Sequence, residues 1–252
     1  MYWDESVGGA RFVVSDRCGG VSAPPYDGLN LALHVGDDPA AVRVNRELLA
    51  ARLDVGPDRV VYVEQVHGHA VLEVDGPLTG PVPQADGLLT RTPGLALAMM
   101  VADCVPVLLA DPEAGIVGVA HAGRQGMVAG VARGVAEAMR DLGARSIRAR
   151  LGPSVCPRCY PVPLELREQV AGTYPQTRSL DRHGDPSIDV AAGVRAQLAP
   201  LCTEIEQLPG CTVEEPDLFS YRRDGRTGRF VGAVVLRDAV DRDATVLTGG
   251  QQ

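Results

Sequence analysis

Three apolar segments in close succession decide the fold of this chain: LALAMMV at residues 95–101, VPVLLA at 105–110 and IVGVA at 116–120. Each is short, almost continuously apolar and rich in branched side chains, which is typical of a β-strand that is covered on both faces. Only short polar turns separate them. The sequence therefore predicts neighbouring strands at the centre of a layered protein.

Helical and strand-like segments alternate outward from this centre, which predicts an α/β protein. A helix is predicted over 39–53, with Asp38 as its N-cap and Pro39 in its first turn. The remaining predicted helices are 126–142, 164–172 and 189–201, and the remaining strands are 11–14, 60–66, 70–74, 147–151 and 228–236. Three segments are predicted to lack regular secondary structure: 18–28, 76–86 and 173–186. The last residues, 248–252, are predicted to be a frayed tail. With 252 residues and no compositional break, we expect a single domain, 1–252.

Composition excludes several classes of function. A net charge of −8 makes nucleic acid an unexpected partner, because such binding depends on Lys and Arg that neutralise phosphates. All 24 basic residues are Arg, so lysine Schiff-base chemistry, a lysine-anchored pyridoxal cofactor and a P-loop lysine are excluded. No glycine-rich dinucleotide fingerprint opens a helix either.

The first residues lack a secretory signal, and no apolar run approaches the roughly 18 residues of a membrane span. We therefore expect a cytoplasmic protein with no membrane association. Its six cysteines are scattered too unevenly for a disulfide framework and read as reduced thiols.

His67, Cys104 and His121 are candidate metal ligands. Each lies where a strand-like run meets a polar or glycine-rich turn, where side chains from neighbouring strands converge. Two imidazoles and one thiolate suit zinc, and an open fourth position would make the site catalytic. The spacing alone leaves open a structural histidine and a buried, inert cysteine.

Two further motifs carry weaker signals. Cys156 and Cys159 have the spacing of a zinc knuckle or a redox pair, but a second ligand pair at matching spacing is missing, so neither role is predicted. The basic run 221–229 suits an anion, yet a solvated hairpin turn around Asp224 and Gly225 explains it more simply.

Taken together, motifs along nearly the whole chain resemble the YfiH family, whose members are also called laccase-domain or polyphenol oxidase proteins. The motifs are PYDGLNL (25–31), HVGDDP (34–39), NR (45–46), QVHG (65–68), ADG (85–87), ADCVP (102–106), HAG (121–123), LGP (151–153) and FSYRRD (219–224).

The resemblance implies a single-domain α/β/α fold with a mixed sheet, of the type described as a cysteine-hydrolase-like fold. It implies one zinc ion per chain, held by His67, Cys104 and His121. It also implies phosphorolysis of adenosine and inosine, with methylthioadenosine as a further candidate, and/or deamination of adenosine. Purine nucleoside and phosphate are then the partners. Arg124, Gln125 and Pro161 depart from the family pattern and put substrate range in question.

Four more residues are candidates for the catalytic site. The resemblance places the helix of Arg46 beside the metal, where its guanidinium would grip phosphate. Asn30 would bond ribose or base as part of a lid. Gln65 would face the same side of a strand as His67, and Asp103 would point away from Cys104 as acid, base or support. Ordinary structural roles stay open for Gln65 and Asp103.

Two other functions remain as alternatives. A copper-dependent polyphenol oxidase would need on the order of ten histidines for a full multicopper relay, whereas the chain has five. Copper is thus the alternative cofactor. A non-catalytic metal-binding partner protein would have a closed metal site or none. The sequence carries no signal for oligomeric state.

Overall fold

The computed structural model describes residues 1–237, so the expected frayed tail, 248–252, lies outside the described residues. The α/β class is confirmed. The strands are β1 (Trp3–Val7), β2 (Ala10–Val14), β3 (Val60–Val61), β4 (Val71–Glu73), β5 (Gly87–Thr90), β6 (Ala96–Val101), β7 (Val105–Asp111), β8 (Ile116–Ala122), β9 (Arg148–Leu151), β10 (Arg178–Leu180), β11 (Pro186–Ile188), β12 (Glu204–Gln207) and β13 (Phe230–Leu236). The helices are α1 (Pro39–Leu53), α2 (Arg124–Ala129), α3 (Val131–Asp141), α4 (Leu164–Thr173), α5 (Val190–Leu198) and α6 (Tyr221–Asp224).

The long strands divide between two mixed sheets. Sheet one has the order β1-β2-β13-β6-β3, antiparallel except for the pairing of β3 with β6. Sheet two has the order β12-β9-β7-β8-β5-β4, with parallel pairs at both edges and antiparallel pairs between them. A hairpin of β10 and β11 stands apart.

The two sheets pack face to face, and helices cover their outer faces. Between the sheets, Phe12, Leu97 and Phe230 of sheet one meet Leu108 and Val119 of sheet two. Helix α1 covers the other face of sheet one, while α3 and α5 cover the other face of sheet two. Both faces of the central strands are therefore buried, which explains their continuous apolar sequences.

Glycine permits the close approach between the layers. A side chain at Gly232 of β13 would put its Cβ 2.7 Å from Pro106 in the opposite sheet, and one at Gly118 would lie 2.7 Å from Val135 of α3. Neither contact could be absorbed without moving a layer.

The prediction for α1 is confirmed at both ends. Asp38 accepts a hydrogen bond from the backbone N–H of Ala40 at 2.9 Å, and the helix ends where Asp54 adopts a positive φ of 59°. The predicted helix 126–142 is wrong as a single element. It comprises α2 and α3, because Gly130 adopts φ 85° and breaks the run.

Several strand predictions need correction. Only Val60–Val61 of the segment 60–66 is a strand, so Gln65 and His67 lie in a loop. Residues 173–186 are not irregular throughout, because β10 pairs with β11. The sequence pattern does not predict β1, β5 or β12, because these strands are short or carry charged residues. Among residues 1–237, no helix has both the length and the apolar character that crossing a membrane requires.

The break at Gly130 can be tested against a matched glycine. Gly130→Ala should lower the free energy of unfolding by about 1–2 kcal/mol, because an L side chain is strained at this φ. Gly134→Ala should raise it by about 0.5–1 kcal/mol, because Gly134 lies within α3 and its added Cβ meets Val71 at an ordinary 3.5 Å. Urea denaturation measures both, and equal effects would contradict the assignment of the break to Gly130.

Candidate active site

His67, Cys104 and His121 meet at one end of the sandwich. His121 lies in β8, Cys104 in the turn between β6 and β7, and His67 in the loop after β3. Their ligand atoms all lie within 4.8 Å of one another, and the two imidazole rings are edge-on with centroids 4.7 Å apart. The three candidate ligands predicted from the sequence are thus close enough to share one ion.

A glycine keeps the space around this cluster open. A Cβ at Gly123 would lie 2.9 Å from Cys104 Sγ and 3.1 Å from the ring of His67. Gly123 directly follows β8 and precedes α2. The HAG motif thus supplies both a ligand and the clearance that the ligand needs.

Asp86 orients two of the three candidate ligands. Its carboxylate is fully buried, accepts backbone hydrogen bonds from Val66, His67 and Gly68 at 2.7–3.2 Å, and lies 2.8 Å from Nδ1 of His121. These bonds hold His67 at a positive φ of 59°. Because Nδ1 of His121 faces a carboxylate, Nε2 is the nitrogen left for a metal, an arrangement typical of zinc-ligating histidines.

The electrostatics of the cluster favour an anionic sulfur. Burial alone would raise the pKa of the Cys104 thiol, but the charge and hydrogen bonds of His121 and His67 outweigh it and lower the pKa to about 6. Burial alone would lower the pKa of His121, but the Cys104 thiolate and Asp86 raise it to about 9. A thiolate with two imidazoles is a donor set that fits zinc.

A cavity of about 660 Å³ opens over the cluster, within the size range of small-molecule sites. Its wall includes two tyrosines, Tyr160 and Tyr221, and two arginines, Arg222 and Arg229. The other lining residues are His34, Gln65, His67, Met100, Val101, Ala102, Asp103, Cys104, His121 and Val155.

Gln65 and Asp103 line the cavity, but their polar side-chain atoms form hydrogen bonds with other residues of the protein. Gln65 bonds both the N–H and the carbonyl of Met100, each at 2.8 Å, which fastens the His67 loop to β6. The prediction that Asp103 lies in a strand is wrong, because the residue lies in a turn at φ 93°. Its carboxylate accepts hydrogen bonds from the hydroxyls of Thr212 and Ser220 and from the N–H of Arg222, at 2.6–2.7 Å.

Asn30 does not reach the cavity. The residue is completely buried, and its amide bonds Ala32, the carboxylate of Asp37 and the N–H of Arg229. The expected lid residue instead joins the loop before α1 to the start of β13. The sequence could not reveal this, because its partner Arg229 lies 199 positions away.

Arg46 lies behind the cavity wall. Its Nε donates to the carbonyl of Leu31 at 3.0 Å, and its guanidinium lies 4.0 Å from the ring centre of Tyr62. Its Nη2 also lies 4.0 Å from Sδ of Met100, which belongs to the cavity lining. Burial lowers its pKa.

Two arginines of the basic run 221–229, Arg222 and Arg229, line the cavity, where Arg46 was expected. Arg229 uses Nη1 to bond the carbonyls of Thr227 and Gly228, both at 2.9 Å, which leaves Nε and Nη2 without a hydrogen bond among residues 1–237. The guanidinium of Arg222 lies 4.9 Å from the ring centre of Tyr160. The run 221–229 is not a hairpin turn: it begins with one helical turn, α6, and continues as irregular chain to the start of β13.

The three departures from the family pattern stand outside this lining. Arg124 begins α2 beside Gly123, and Gln125 follows it at the surface. Pro161 approaches the site only through its carbonyl, which accepts a hydrogen bond from Arg222 at 3.4 Å.

A sequence model described as multi-copper polyphenol oxidoreductase laccase matches residues 11–237. The YfiH protein of Escherichia coli, named a purine nucleoside phosphorylase, is 40% identical over 88% of this chain and 92% of its own length. The chain belongs to the YfiH family. A purine nucleoside phosphorylase of Streptomyces griseus is more similar, at 54% identity over 91% of this chain and 96% of its own.

Solved structures of the YfiH family share the fold. The YlmD structure from Geobacillus stearothermophilus superimposes with a TM-score of 0.82 at 35% identity, covering 91% of this chain and 93% of that one. A Bacillus licheniformis protein titled hypothetical protein YfiH gives 0.83 at 30% identity, covering 90% and 93%.

The role of Asp86 can be separated from ordinary buried-carboxylate stability. Asp86→Asn should weaken retention of a metal ion at the cluster by about 10–100-fold. An amide binds Nδ1–H of His121 less strongly than a carboxylate does, so it no longer fixes the tautomer in which Nε2 is free for the metal. Asp111 is the matched control: it is also buried and accepts backbone N–H bonds from Ala114, Arg145 and Ser146, but it faces no histidine.

Asp111→Asn should therefore lower stability without changing metal retention. Competition with a chelator measures the retention, and thermal unfolding measures the stability. Equal loss of metal in both variants would show that Asp86 acts only through the fold.

Proposed function

We propose that this protein is a zinc-dependent purine nucleoside phosphorylase that cleaves adenosine and inosine, with deamination of adenosine as a second reaction. The observation that carries the proposal is the three-donor cluster, His67, Cys104 and His121, which opens onto a cavity lined by guanidinium groups and aromatic rings. Relatives over most of this chain's length are named purine nucleoside phosphorylases.

His67, Cys104 and His121 would hold the zinc ion, which when bound would supply Lewis acidity to a substrate in the cavity. Among the candidate catalytic residues, Asp103 and Gln65 then act as positioning residues, because their polar atoms are committed to the loops that carry the cluster.

Arg229 is the best-placed residue to bind phosphate. Its two backbone contacts fix the guanidinium plane, and its remaining donors match the fork geometry of an oxyanion. Tyr160 and Tyr221 offer faces on which a purine can stack. The cavity is therefore lined by a group suited to phosphate and by groups suited to the purine base.

The two reactions differ in which bond breaks. In phosphorolysis a phosphate oxygen bonds to C1′ of the ribose, the bond from C1′ to the purine nitrogen breaks, and the base leaves with a proton. In deamination the oxygen of water bonds to C6 and the amino group leaves as ammonia. Only the first reaction consumes phosphate.

A copper-dependent polyphenol oxidase is the second candidate, because the matching family model bears that description. His69 lies two positions after His67 in the chain, as in the paired histidines of copper oxidases. Among residues 1–237, however, it does not join His67 in a common ligand group, so the three-donor cluster lacks the partners for a multicopper relay. We therefore favour a single zinc ion at the cluster of His67, Cys104 and His121. We also propose that the enzyme is cytoplasmic.

Incubation of pure protein with adenosine, with and without phosphate, tests the proposal. Adenine formed only when phosphate is present supports phosphorolysis, and inosine formed in both conditions supports deamination. Cys104→Ala is the control and should abolish both products together with most of the metal at this site. Phenol oxidation with copper and no turnover of nucleosides would overturn the proposal, and so would a folded, metal-loaded protein with neither activity.

A pair of arginine variants tests the phosphate site. Arg229→Lys should lower kcat/KM for phosphorolysis at least about tenfold, because lysine keeps the charge but loses the planar fork. Arg46→Lys should instead lower stability by about 1 kcal/mol, through its contacts with Leu31 and Tyr62, and leave the KM for phosphate near wild type. The reverse outcome would assign phosphate binding to Arg46.

A further inference from the structure

A second cluster of potential metal ligands, three thiols and a carboxylate, lies beside the cavity. The sequence showed Cys156 and Cys159 as a pair without a matching partner, but the fold brings Cys211 and Glu214 to them. These two also lie three positions apart along the chain. The four ligand atoms all lie within 4.8 Å of one another, so the missing second pair is a cysteine and a glutamate.

Each pair is carried on a tight turn. The N–H of Cys159 donates to the carbonyl of Cys156 at 3.0 Å, and the N–H of Glu214 donates to that of Cys211 at 2.9 Å. The turns are joined, because the N–H of Cys156 points at Cys211 Sγ at 3.3 Å. Two turns that face each other with ligands at this spacing are typical of a zinc knuckle.

We propose that Cys156, Cys159, Cys211 and Glu214 form a structural metal site that binds zinc, here called the Cys3Glu site. A tetrahedral zinc with bonds to sulfur of about 2.3 Å holds two sulfurs about 3.8 Å apart, which is compatible with the spacing of the cluster. Four protein ligands close the coordination sphere, unlike the three-donor cluster in the cavity. The site therefore serves the fold and not the chemistry.

Two arginines balance the charge of this site. Three thiolates and a carboxylate around a divalent ion leave two net negative charges. Arg158 donates to Glu214 at 2.8 Å, and Arg182 contacts both Glu214 at 3.2 Å and Cys159 Sγ. Their two positive charges neutralise the remainder, which lowers the cost of holding three sulfur anions together.

The position of the site gives it a consequence for the cavity. Val155 and Tyr160 adjoin the first pair of ligands and line the cavity wall, and Thr212 adjoins the second pair and bonds Asp103. Zinc would fasten these two loops to each other. This proposal is independent of the proposed function, because it concerns the shape of the wall and not the reaction.

Zinc content in a set of variants tests the Cys3Glu site. After loading with Zn²⁺ under reducing conditions and removal of free metal, the wild-type protein should hold about two zinc ions per chain. A variant with both Cys104→Ala and His67→Ala should keep about one, and Cys211→Ser should also keep about one. Cys202→Ser is the control and should keep two, because Cys202 belongs to neither ligand group.

The double variant keeps the test decisive if Cys211→Ser does not fold. Its retained ion should raise the melting temperature by about 5–10 °C over the chelated form. With Co²⁺ in place of zinc it should show the absorption of several thiolate ligands. Adding Glu214→Gln should weaken zinc binding at least tenfold. A double variant that holds no zinc, or a disulfide among these cysteines after isolation under reducing conditions, would overturn the proposal.

Discussion

The carboxylate of Asp86 is the constraint on which the site depends. It accepts hydrogen bonds from three consecutive backbone N–H groups of the His67 loop and faces the imidazole of His121 in β8. One buried side chain therefore connects two candidate ligands that are 54 positions apart in the sequence. Such a group must keep all its partners, because an unsatisfied charge in the interior is costly. The same bonds lower the pKa of Asp86 despite the opposing effect of burial.

The fold could be predicted from the sequence wherever the determining interactions are local. Helix α1 has its cap, its first-turn proline and its apolar rhythm within one segment, and its limits were predicted correctly. The central strands could be predicted because their sequences are continuously apolar. By contrast, β5 and β12 are strands because of their neighbours in sheet two, and the break at Gly130 depends on a backbone angle that a helical pattern conceals.

The residues of the candidate site also differ in whether local sequence could identify them. His67, Cys104 and His121 were identified because each residue type has a chemistry of its own, and the fold brings them together as expected. Arg46 and Asn30 were predicted as site residues because they belong to family motifs. Their side chains instead bond residues behind the cavity wall, and neither belongs to the cavity lining. Nothing local distinguishes Arg229 from the other arginines of the run 221–229. Its place in the cavity follows from β13, whose pairing with β2 and β6 sets where the run ends.

The cavity has a floor and a wall of different construction. The floor consists of strand ends and their turns, which cannot shift without breaking the pairing of β7 and β8. The wall consists of the loops around Val155 and Thr212, which meet the floor at Asp103. Substitutions of wall residues that make no bond to Asp103 therefore reshape the volume open to a ligand without disturbing the cluster beneath it. The range of molecules that this cavity accepts can therefore change while the geometry of the candidate metal ligands stays the same.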